Sequence, residues 1–215
     1  MNAEGADVHV VVFDVNVYLD VADLLGPPFT WEKFDEAARK YAGEPLPSRD
    51  ARVDSLRALS VTSSGSFAGD IPLEVWTSAH IDRLVQRKAR QSSTAFVAED
   101  RGLGWSPEDA AALLDDLVYG LVLDKTNGVA LGEIPIPYGN PPLSHEDGCV
   151  YRTALDAGDS EWCQRFCVTR DREFREARLP GDMLTLYPHE WVGLVRKSRQ
   201  AIAMDAIHRS QHHES

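Results

Sequence analysis

Residues 8–16, Val-His-Val-Val-Val-Phe-Asp-Val-Asn, constrain this chain more than any other stretch. Apart from His9, residues 8–13 are all apolar, and they are β-branched or aromatic. That composition suits a strand covered on both faces of a parallel sheet. The run stops at Asp14, and residues 15–25 then read as a helix. In open α/β sheets, ligands and reacting groups gather at the carboxyl ends of the strands. Asp14 is therefore a candidate metal ligand or a candidate nucleophile.

The pattern continues along the chain. Residues 30–41 read as a second helix with Thr30 as N-cap. Residues 43–70 are rich in Gly, Pro and Ser and read as a long loop or insertion, with one short helix or strand near 53–61. Leu73-Glu-Val-Trp-Thr77 is a short strand, and Ser78 stands where it can cap a helix running to about Ala89. Residues 106–122 form the clearest helix, with Ser106 as cap, Pro107 in the first turn, then Glu108 and Asp109. Residues 124–144 are rich in Gly and Pro, and Ile134-Pro-Ile-Pro suits an edge or extended piece. A short helix follows at 145–155, a strand at 165–169, a last strand at 182–186, and a helix from about His189. Strand–helix alternation of this kind predicts a three-layer α/β/α fold with a central, mostly parallel twisted sheet. One domain spans 1–200, with the insertion at 43–70, and 201–215 reads as a flexible tail.

Composition limits the partners. With 215 residues the chain is long enough for a core without disulfide staples. Cys149, Cys163 and Cys167 are odd in number and lack paired spacing, so free thiols are expected. The acidic, polar start does not read as a signal peptide, and no apolar run approaches the length of a membrane span. A cytoplasmic protein without a membrane partner is expected. The formal net charge of −12 argues against a general nucleic-acid coat, although not against a nuclease whose carboxylates bind cations.

Strands end near Asp14 and Asp171, and Asp147 opens a helix. In a parallel sheet these positions share one edge, so three carboxylates converge. Crowded carboxylates raise one another's pKa unless a cation intervenes, and a hard divalent ion, Mg²⁺ or Mn²⁺, suits them. The competing reading is that each Asp caps a helix or sits in a loop. Phosphatases of the haloacid-dehalogenase type also place an Asp after the first strand, with a second Asp two residues on. Position 16 is Asn, which cannot act as that acid.

The ensemble resembles the PIN domain family, which includes VapC-type toxins and related endoribonucleases. The resemblance rests on Val11-Val-Phe-Asp14-Val-Asn16-Val, on Asp147 with Ala154 seven places on, and on Val168-Thr-Arg-Asp171-Arg-Glu-Phe174. Thr77-Ser78-Ala-His-Ile, the 106–122 helix and Leu186-Tyr-Pro-His-Glu-Trp add to it. It implies a PIN-like fold and Mg²⁺- or Mn²⁺-dependent hydrolysis of RNA phosphodiesters, as the toxin of a toxin–antitoxin pair. Asp14, Asp147 and Asp171 would hold the metal and carry catalysis. Asn16 would orient Asp14 or water, and Thr169 would bond a neighbouring carboxylate or water. The family's further acid falls one to two turns into the helix after the Ser-containing strand, where only Asp82 is available, and Glu173 stands where many members have Asp. Both are further candidate ligands; without them a catalytically silent PIN-like RNA- or protein-binding protein is the alternative. Arg170, Arg172 and Arg175, with Arg178, could grip phosphates beside the metal or pair with Glu173 and Glu176. Arg83, Arg87, Lys88 and Arg90 form a second basic group. An antitoxin partner and a homodimer are further implications of the resemblance. Glu146 reads as solvated. Trp76, Trp105, Trp162 and Trp191 read as core or interface, and His80, His145 and His189 as structural.

Overall fold

The computed structural model describes residues 8–94, 101–134, 143–158, 163–176 and 183–213. The first strand, β1 (His9–Phe13), lies at the centre of the sheet. Its neighbours are β3 (Ile71–Ser78) and β5 (Gln164–Val168), both parallel to it, with Val11 opposite Val75 on one side and Phe166 on the other. Val10, Val11, Val12 and Phe13 are each at most 1% exposed, as a strand covered on both faces requires. Each such side chain contributes about 1.5–3 kcal/mol of burial.

The strand order is β2 (Ser66–Ala68), β3, β1, β5, β6 (Leu184–Leu186), with β4 (Ala130–Leu131) also pairing with β3. The sequence predicts a mostly parallel sheet; the sheet found is mixed. At one edge β2 turns back antiparallel onto β3 through the two-residue loop Gly69-Asp70, with Gly69 at φ 58°. At the other edge β6 runs parallel to β5.

Helices α1 (Val15–Leu25), α2 (Trp31–Lys40), α4 (Ala79–Arg90), α5 (Pro107–Ala112) and α6 (His145–Asp156) stand close to their expected positions. Thr30 and Ser106 cap as expected, accepting from Lys33 N and Asp109 N. Ser78 occupies the N-cap of α4 but makes no capping bond; its Oγ accepts from the buried Thr153 hydroxyl at 2.8 Å instead. After α5 the chain continues in a wider, π-helical spiral over Leu113–Lys125. Thr126 closes it: its hydroxyl bonds the Leu121 and Val122 carbonyls and accepts from Val75 N, all at 3.0 Å.

The 43–70 stretch is more ordered than its composition suggests. It contains α3 (Ala51–Thr62), wedged between α1 and α8 (Pro188–His213). Asp50 caps α3, and Thr62 accepts from the buried Trp191 indole N–H at 2.9 Å. The helix α8 continues through the expected tail, with residues 201–209 exposed. A short α7 (Arg172–Glu176) follows β5. This α/β arrangement is compatible with a three-layer α/β/α fold. Among the described residues, no helix is long and apolar enough to cross a membrane. The extended piece expected at Ile134-Pro-Ile-Pro lies largely outside the described residues, as do the N-terminal seven residues, Trp162, Arg178 and Asp182.

Candidate metal centre

The central ladder fixes the first acid. Phe13 pairs with Val168, and Asp14 N donates to Val168 O at 2.9 Å, so the Asp14 side chain stands where β1 leaves the sheet. It is 6% exposed. Thr169 Oγ1 donates to Asp14 Oδ2 at 2.6 Å, and Asn16 Nδ2 donates to the same oxygen. The Thr169 hydroxyl oxygen also accepts from Asp171 N at 2.9 Å, while Asn16 Oδ1 accepts from Arg170 N at 3.1 Å. These bonds tie the start of α1 to the β5–α7 turn and fix one oxygen of Asp14.

Burial pushes the Asp14 carboxyl up to about 6; the Thr169 bond opposes this, the Asp147 charge adds to it, the Val15 amide opposes it and Asp171 adds again. Asp171 Oδ1 accepts from Glu173 N at 2.7 Å and Phe174 N at 3.0 Å, so it opens α7 as a cap would. Asp147 is positioned by Ser144, whose hydroxyl donates to Asp147 Oδ2 at 2.7 Å and accepts from Asp147 N at 3.1 Å. Burial raises the Asp147 pKa, helped by the charges of Asp171, Glu146 and Glu173 against the Ser144 bond. Asp14, Asp147 and Asp171 line one cavity of about 180 Å³, together with Asn16, Glu146 and Lys88.

Glu146 differs from the sequence reading. It lines the acid cavity beside Asp147 and pairs with Arg87, in the first turn of α6 that Ser144 caps. The available signal was the Ser-His-Glu-Asp run, which places two acids in one capped turn. Asp82 is 6% exposed, does not line the cavity, and accepts from Thr77 Oγ1 at 2.7 Å and Tyr119 OH at 2.8 Å. Burial raises its carboxyl against those two bonds. Glu173 is exposed and outside the cavity lining, although its charge acts on Asp147.

The arginines expected to grip phosphates have protein partners. Arg170 pairs with the buried Asp20, Arg172 with Glu176, and Arg175 with Glu190 at 2.9 Å while covering the Tyr187 ring. In the second basic group, Arg83 pairs with Glu133, and Lys88 brings its charge to the acid cavity. Of the tryptophans, Trp191 and Trp105 are buried and Trp76 is half-buried.

The lining suits a hard cation: its acids are carboxylates, the most buried of which is raised by burial and, to a lesser degree, by the charges of Asp147 and Asp171. Asp14, Asp147 and Asp171 could hold it directly, with Glu146 in reach of the same space. Their oxygens are more widely spaced than bound ligands would be. Among the described residues, only His80, His145 and Cys149 bring three candidate ligand atoms within 4.8 Å of one another. Comparison with protein-family models, curated proteins and solved structures finds no match to this chain.

Proposed function

We propose that this chain is a PIN-like endoribonuclease that hydrolyses RNA phosphodiester bonds with Mg²⁺ or Mn²⁺. The observation that carries this reading is the meeting of Asp14, Asp147 and Asp171 around one cavity, from three distant parts of the chain. When bound, the cation supplies a Lewis acid that activates water and offsets charge on the phosphoryl oxygens. Asp14, Asp147 and Asp171 hold it. Thr169 and Asn16 hold one oxygen of Asp14, so that closing the cluster on a cation would fall to Asp147 and Asp171. Lys88, on the cavity wall, attracts a phosphate that approaches an otherwise acidic opening. The toxin assignment, an antitoxin partner, a homodimer and a cytoplasmic setting rest on the sequence resemblance alone.

A second reading has its own support. Asp82 and Glu173 stay outside the cavity, and Arg87 engages Glu146, which suits a silent PIN-like protein that binds RNA or protein. RNA cleavage with Mn²⁺ separates the two. Asp14→Asn and Asp171→Asn are each expected to lose at least about 100-fold in rate, the scale of removing one electrostatic stabiliser. Equal cleavage by both variants and the wild type excludes the proposed centre. RNA binding without cleavage by the wild type selects the silent reading.

A further inference from the structure

The helix α6 carries one polar stripe that the carboxylate cavity does not use: His145, Cys149 and Thr153, four residues apart and therefore on one face. That face lies against the β3–α4 junction. Thr153 Oγ1 donates to Ser78 Oγ at 2.8 Å, and about two turns toward the N-terminus the His145 ring lies 5.4 Å from the His80 ring. The candidate ligand atoms of His80, His145 and Cys149 all lie within 4.8 Å of one another. Cys149 is 1% exposed, and the His80 Nε2 atom is buried without a hydrogen-bond partner. Ring packing alone leaves that nitrogen unsatisfied. A metal ion bound through that nitrogen would satisfy it.

We infer that His80, His145 and Cys149 form a binding site for a borderline transition-metal ion such as Zn²⁺, separate from the carboxylate cavity. Two imidazoles and a thiolate suit Zn²⁺ and Co²⁺, and not the hard ions that carboxylates select. Bonds of about 2.0–2.1 Å to nitrogen and 2.3 Å to sulfur bring tetrahedral ligands some 3.4–3.6 Å apart, so small side-chain rotations close the group. Binding replaces the Cys149 S–H bond by a sulfur–metal bond and releases the proton to solvent. His80 also lines a cavity of about 560 Å³ with Arg83, Arg87 and Gln91, a route for water to the fourth position. The ion joins α4 to the first turn of α6, which carries Glu146 and Asp147. The site stands whether or not the carboxylates bind metal.

The test is Co²⁺ titration of the reduced, chelator-treated full chain. One equivalent should produce a thiolate-to-cobalt charge-transfer band with tetrahedral visible bands, and Zn²⁺ should bleach both. Cys149→Ser should abolish the charge-transfer band. His145→Ala, at an exposed position, should weaken Co²⁺ binding by more than about 100-fold, beyond the 10–100-fold loss typical of an outer-shell partner. Asp171→Asn should leave the spectrum unchanged. Absence of the band in the wild type, its survival in Cys149→Ser, its loss in Cys163→Ser, or its dependence on Asp171 each overturns the inference. If Cys149→Ser does not fold, the His145→Ala titration decides alone.

Discussion

Asp14 should destabilise the metal-free protein, and by an amount that depends on pH. Its carboxyl titrates near 6 in the fold against an ordinary value of 3.8. A raised carboxyl means that the folded state holds its proton more tightly than the unfolded chain. The cost is therefore small at acid pH, grows between 3.8 and 6, and is complete above 6. Linkage puts it at about 0.6 kcal/mol at pH 4 and about 3 kcal/mol at pH 7.5. Asp14→Asn removes this cost. The amide oxygen can take the place of Oδ2 and accept from both Thr169 and Asn16. The Val15 amide, which also bonds this carboxylate, loses its acceptor, a loss of about 1 kcal/mol. The net expectation is a stabilisation of about 2 kcal/mol at pH 7.5 that vanishes or reverses at pH 4. Urea melts of both proteins in EDTA at the two pH values measure it. Mn²⁺ at a hundred times its Kd should then stabilise the wild type by about 2.7 kcal/mol and leave the variant nearly unmoved. A variant no more stable than wild type at pH 7.5, with no change in the difference between the two pH values, would refute the argument.

Four other substitutions test the packing and the site. Thr62→Val leaves the buried Trp191 indole N–H without its acceptor and should cost about 1–3 kcal/mol in a urea melt. Gly128→Ala places a Cβ 1.8 Å from the Val75 carbonyl oxygen of β3, so a loss of about 3 kcal/mol or more is expected, or failure to accumulate as soluble protein. Glu146→Gln should lower RNA cleavage by about 10-fold or more, the outer-shell scale, whereas Asp82→Asn, outside the cavity, should stay below about 10-fold; steady-state rates with Mn²⁺ compare them, and the opposite ranking would make Asp82 the fourth acid.

Where one strong signal dominated, the sequence was a good guide. The β-branched run at 8–13, the Ser106-Pro107 start and the first turn of α6 each state one local preference, and the fold agrees with it. Helix α3 was harder to read because it is buried nearly all round: Val53, Leu56 and Leu59 face the same core as Asp54, Ser55 and Arg57 on other sides. No apolar stripe alternates with a polar one, so the 3.6-residue period is faint. Strand β4 has only two residues, too few for any period. At the site, Asp14, Asp147 and Asp171 were legible because strand ends and helix starts share an edge. Glu146 was not, because a rotation of 100° per residue turns neighbours apart in a helix interior but matters less in a capped first turn open to a cavity. The sequence leaves the arginines between gripping phosphates and pairing with nearby acids, and Arg172 does pair with Glu176. Sequence shows their charge but not Asp20 or Glu190, which reach them from elements far along the chain. The same holds for His80 and His145, isolated in sequence and side by side in space.

The central position of β1 has a consequence for how the protein comes into being. Asp14 and Thr169, which share a hydrogen bond, are 155 residues apart, and β1 meets β5 across the same span. At translation speeds of roughly 5–20 residues per second, the first strand waits some 8–30 s before its second neighbour exists. A nascent chain stalled before β5 has Asp14 and Asp147 but lacks Thr169 and Asp171, the partners that orient and complete the cluster. The three carboxylates can therefore share one cavity only after β5 and the turn that follows it have been synthesised.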